Sequence, residues 1–97
     1  MNLAKIEAEH IYDITFDFKG MKKVIDKEFK KLSDIDEIAD FICKLRARAW
    51  YWQEEDHPDL DCAKFYNKMW QSLLVKAGSK MSKADYMDLY YAVDPNP

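Results

Sequence analysis

The segment from Asp34 to Gln53 constrains the fold more than any other part of this 97-residue chain. On a helical wheel its apolar residues (Ile35, Ile38, Ala39, Phe41, Ile42, Leu45, Ala49, Trp50 and Trp52) cover more than half the circumference. A surface helix carries a narrower stripe, so a helix over 34–53 must touch neighbours on two sides and stand at the centre. Its end holds the run Trp50-Tyr51-Trp52, set between basic residues (Lys44, Arg46, Arg48) and acidic ones (Glu54, Glu55, Asp56). Three consecutive aromatics on a helix fan over roughly 200°. Either the helix is nearly central or one ring faces outward. An outward ring between opposite charges is what a protein-binding surface offers.

Turn-formers are scarce, with two Gly and three Pro, so the connections between helices must be short. An apolar share of 48% against 34% charged residues excludes disorder and supports a packed core. A chain of this size is one domain and buries about two-thirds of the surface its unfolded form exposes. Cys43 and Cys62 make no disulfide framework and read as reduced, buried small hydrophobes. Lys5, Glu7 and Glu9 interrupt the apolar stretch a signal peptide needs, and no run approaches the ~20 apolar residues that span a bilayer. A cytoplasmic protein with no membrane partner is expected.

The net charge of −3 is unevenly distributed. Residues 1–33 carry +1, residues 34–61 carry −6, and residues 62–97 carry +2. The middle third holds the whole acidic excess, a polarity that steers partners more than it shapes a fold.

Along the chain, residues 2–18 are ambiguous. Leu3, Ile6, His10, Ile14 and Phe18 recur at helical spacing, while Tyr12, Ile14, Phe16 and Phe18 alternate as in a strand. Helix is favoured, since a lone strand would lack a partner, and Gly20 then serves as a stop; a short strand within 11–18 is the alternative. Over 21–32, Met21, Val24, Ile25, Phe29 and Leu32 share one face, and Lys23, Lys27, Lys30 and Lys31 the other. Ser33 is the expected N-cap of the central helix, with Asp36 in the capping-box position. Residues 54–59 form a loop, because Pro58 disfavours helix at His57. Asp59 or Asp61 caps a helix running to Ala77 and stopped by Gly78, with Cys62, Ala63, Tyr66, Met69, Trp70 and Leu73 facing the core. Ser82 opens a last helix that ends by Val93, before Asp94-Pro95-Asn96-Pro97. The fold class is all-α, a compact bundle of four to five short helices.

Several constellations bear on chemistry. Glu7/His10 and Glu54/His57 have the Glu-x-x-His spacing of di-iron bundles, but the helix over 60–77 offers no interior carboxylate to complete a cage. The acidic stretch 54–61 lacks EF-hand spacing and its turn glycine, and reads as helix capping or as a dock for a basic partner. The lysine face of 21–32 suggests phosphate tracking, yet Asp26 and Glu28 dilute it and the pI of about 5.3 opposes it. Arg46 falls within the apolar face between Ile42 and Trp50. Its guanidinium must reach an acid, or else that face is open and meets a partner. Arg48 and Tyr51 are expected to project from the opposite, exposed side, beside Lys44 and Asp40. Tyr86 and Tyr90 share a face with Met87 and, with Tyr91, lid the core or offer a second aromatic contact. Ser33, Ser72, Ser79 and Ser82 have no histidine nearby in sequence, so nothing argues for catalysis.

The expected function is stoichiometric binding of another protein, as an inhibitor, immunity factor, antitoxin or adaptor. The expected partner-binding residues are Arg48, Tyr51, Trp52, Glu54, Glu55 and Asp56, an acidic and aromatic patch covering a basic surface. By analogy of class alone, a phage- or plasmid-type factor blocking a nucleic-acid-handling enzyme fits that description. The alternative is a nucleic-acid-binding helical module using Lys23, Lys27, Lys30 and Lys31. No cofactor, metal or catalytic residue is expected, and a homodimer is compatible with either function.

Overall fold

In a computed structural model, residues 1–54 and 58–93 are described. The protein is an all-α bundle of five helices: α1 (Leu3–Glu9), α2 (Phe18–Lys30), α3 (Ile35–Tyr51), α4 (Leu60–Ala77) and α5 (Lys83–Val93). A short antiparallel hairpin of β1 (Ile11–Tyr12) and β2 (Thr15–Phe16) joins α1 to α2, and a 3-10 turn (Gly78–Lys80) follows α4. Among the described residues no helix is long and apolar enough to cross a membrane.

Helix α3 is central. It packs most extensively on α4 and then on α5, its Phe41 meets Phe29 of α2, and its Arg48 holds Glu7 of α1. One hydrophobic cluster draws on all five helices, from Leu3 and Ile6 through Ile25, Ile38, Ile42, Leu45, Tyr66, Met69 and Leu73 to Leu89 and Val93. Trp50, expected within the apolar face of α3, departs from it and is 55% exposed. The wide apolar stripe therefore has two causes at once: a central helix and an outward ring.

Local chemistry fixes the helix ends. Asn2, Asp17, Asp34 and Asp59 each accept a hydrogen bond from a backbone N–H of the first turn, at 3.1, 3.0, 2.7 and 3.0 Å. Each such cap is worth about 1 kcal/mol. Ser82 Oγ accepts from Asp85 N at 3.2 Å and opens α5 as its position suggested. Ser33 is not the cap of α3; Asp34, one residue on, takes that role through Asp36 N.

Two expectations for the N-terminal segment are corrected. The helix over 2–18 stops at Glu9, and residues 11–16 form the hairpin, with Ile11 opposite Phe16 and Tyr12 opposite Thr15. The missing partner of the lone strand lies two residues further along the same chain. Asp13 makes the reversal possible by adopting φ 58°, a left-handed conformation that Asp tolerates better than most residues. Gly20 is not a stop but sits in the first turn of α2. A Cβ there would fall 2.4 Å from Asp17 Oδ2 and 2.8 Å from His10 Cδ2, so glycine leaves room for the cap.

Candidate protein-binding surface

Glu7 has drawn the expected patch inward. The residue is 5% exposed, and its carboxylate accepts hydrogen bonds from Arg48 Nε at 2.8 Å, from Arg48 Nη2, from Trp52 Nε1 at 3.1 Å and from the Tyr66 hydroxyl at 2.6 Å. Burial alone would push the Glu7 carboxyl up. Donors from Arg48, Tyr66 and Trp52, with the Arg48 charge, outweigh it and hold the group below its ordinary value. The same contact with Glu7 pushes Arg48 up, and burial followed by the Glu7 bond pushes the Tyr66 hydroxyl up.

Arg48 is thus corrected from an exposed anchor to an internal counter-ion, its side chain 20% exposed. Its guanidinium lies 3.9 Å from the Tyr51 ring centre and 5.4 Å from that of Trp52. Tyr51 and Trp52 are half-buried and meet edge to face at 5.0 Å. Arg48, Tyr51 and Trp52 therefore come together, though around Glu7 rather than toward solvent. Arg48 and Tyr51 still line an open concavity of about 550 Å³ with Met1, Ala4, Lys44 and Ala47. Glu54 is exposed, while Glu55 and Asp56 lie outside the described residues.

A different aromatic surface faces water. Arg46 leaves the core side of α3 and places its guanidinium 4.5 Å from the Trp50 ring centre and 5.7 Å from that of Trp70. Its Nη1 donates to the Val93 carbonyl at 2.7 Å, at the last residue of α5. A guanidinium there is favoured by the negative end of the α5 dipole. The sequence leaves Arg46 either reaching an acid or on an open face that meets a partner; among the described residues the structure supplies a carbonyl and two indoles. Beside this stack, a cavity of about 320 Å³ between α4 and α5 is lined by Trp70, Gln71, Leu74, Val75, Tyr86 and Tyr90. Val75 is 73% exposed, and Met87 and Tyr91 are exposed on α5.

No family model, curated protein or solved structure matches the chain.

Other flagged residues fall elsewhere. Glu7 and His10 do not converge: His10 Nδ1 lies 2.7 Å from the Ile6 carbonyl, and the oxygens of Glu7 are held by donors. His57 of the second pair lies outside the described residues. Among the described residues no three His, Cys, Asp or Glu side chains are grouped to hold a metal ion. Lys23, Lys27 and Lys30 are exposed on α2 and Lys31 is exposed at its C-cap, paired to Glu28. Lys30 also joins Lys76 and Lys80 around a cavity of about 280 Å³. Trp70 packs against the core as its position predicts, and it also reaches the Arg46 stack, which no local pattern signals because Arg46 lies on another helix. Glu7 was legible only as a possible ligand, because its donors come from two distant helices.

Proposed function

We propose that the protein acts by binding another protein stoichiometrically, as an inhibitor, immunity, antitoxin or adaptor type of module. The Arg46 stack on Trp50 and Trp70 carries this reading. Trp and Arg dominate the energy of protein interfaces, and here they come together where α3, α4 and α5 meet. The hydrogen bond to Val93 and the indole contacts hold Arg46 in place, so little side-chain entropy is lost on binding. The contact surface proposed is thus Arg46 and Trp50 of α3, Trp70 of α4, and Tyr86 and Tyr90 of α5, apart from the Arg48 cluster.

The test is affinity capture from native lysate with the wild-type chain and with Trp50→Ala, both after nuclease treatment. One protein recovered in near-equal amount by wild type and lost by the variant supports the reading. Equal recovery by both overturns the assignment to this face.

The cavity bordered by Lys30, Lys76 and Lys80 favours a second reading, nucleic-acid binding along α2. Two of its features oppose it: Lys80 donates to the Phe29 and Leu32 carbonyls, and Asp26 lines the same cavity. Binding that vanishes with nuclease, and falls steeply with salt, would put this reading first.

A further inference from the structure

We infer that the Arg46 surface receives a protein segment anchored by a carboxylate beside apolar side chains. This rests on the protein-binding reading and names the chemistry of its partner.

The guanidinium of Arg46 carries five N–H donors, and one of them is used, on Val93 O. None of the ion pairs among the described residues involves Arg46; Asp40, six residues earlier on α3, pairs with Lys44 at 3.1 Å. Among the described residues, a cation is therefore held on a partly buried aromatic platform with one donor used and no acid paired to it. Planar guanidinium groups match carboxylates two bonds at a time, and they bind them more strongly where neighbouring rings displace water.

Trp70 links this cation to the α4–α5 cavity, since it borders both. At about 320 Å³ the cavity falls within the range of formed ligand pockets, about 300–1,000 Å³. Its walls are aromatic and aliphatic apart from Gln71, with no charged residue among them. A bound segment thus meets one positive charge and, immediately beside it, an apolar socket. An acidic residue neighbouring Leu, Phe or Met satisfies both. A nucleic-acid strand fits poorly, because tracking phosphates needs a row of cations and this surface has one.

The experiment is selection of short helix-biased peptides from a displayed library on the full-length protein, with Trp50→Ala as a counter-screen. Enrichment of Asp or Glu adjacent to apolar residues is expected. Exchanging that acid for its amide in a selected peptide should weaken binding to the wild-type protein about tenfold, the loss of one charge-assisted pair. Arg46→Met, which keeps the stem, should abolish the difference between acid and amide. If that variant does not fold, the peptide exchange on the wild type decides alone. Apolar peptides without an acidic preference would overturn this inference and leave the protein-binding reading standing. No peptide dependent on Trp50 would overturn both. Binding of a labelled oligothymidine that is lost in Arg46→Met would overturn the peptide assignment.

Discussion

Glu7 and Arg48 stand 41 positions apart in sequence, and the guanidinium of one grips both carboxylate oxygens of the other. The pair does what α1 cannot do for itself. A seven-residue helix is too short to persist alone, since isolated helices need about 12–15 residues even to be marginal. Leu3 and Ile6 supply its apolar contact, and Glu7 locks it to α3 and, through Tyr66, to α4.

Glu7→Gln removes the counter-charge and leaves Arg48 partly buried without one. A loss of about 3 kcal/mol is expected, read by urea unfolding at neutral pH. Acid dependence should change with it. The folded carboxyl titrates below its ordinary 4.5, so its contribution is complete above that pH and is lost as pH falls through the folded value. Wild type should therefore lose stability below pH 4.5 more steeply than Glu7→Gln; parallel profiles would refute the role of this group.

Tyr66→Phe deletes one donor to a buried carboxylate and should cost about 1.5–3 kcal/mol. In the Glu7→Gln background the same change should cost distinctly less, because the acceptor is no longer charged. A double-mutant cycle measures the difference, and strict additivity would mean that Tyr66 acts by packing alone.

The hairpin turn offers a stabilising change. Asp13 holds φ 58°, so Asp13→Gly should raise the melting temperature and Asp13→Val should lower stability by about 1–2 kcal/mol. Thermal unfolding of the two variants should move in opposite directions.

Thiol chemistry should separate the two cysteines. Burial, aided by Asp59 and Glu7, pushes the fully buried Cys62 thiol up to about 12, and burial pushes the half-buried Cys43 up as well. A thiol reagent at mildly alkaline pH should label Cys43 slowly and Cys62 only on unfolding. Equal rates in the native protein would contradict this packing.

How far the sequence reveals this molecule depends on the range of the interaction involved. The central position of α3, the Asp59 and Ser82 caps and the buried stripe of α4 follow from spacings of three and four residues, which a helical wheel displays directly. The hairpin is hidden because Ile14 and Phe18 satisfy helical spacing as well as alternation, and only the turn at Asp13 breaks the tie. Arg48 is misjudged for a different reason. Its charge reads as a solvent marker until a carboxylate 41 residues away is brought beneath it, and no local pattern records that meeting. Arg46 shows the converse. The wheel finds its place in the apolar face, but the second indole comes from α4 and the carbonyl from α5.

The long reach of Glu7 also has a kinetic meaning. Helices α3 and α4 are neighbours in sequence and share the most extensive packing, so their pairing closes a short loop and costs little chain entropy. Docking of α1 closes far longer loops, to Arg48 and, across 59 positions, to Tyr66. Its contacts should be absent from the transition state. Substitutions at Glu7 should then leave the refolding arm of the chevron in place and lift the unfolding arm, so that the first helix governs how long the native state lasts rather than how quickly it forms.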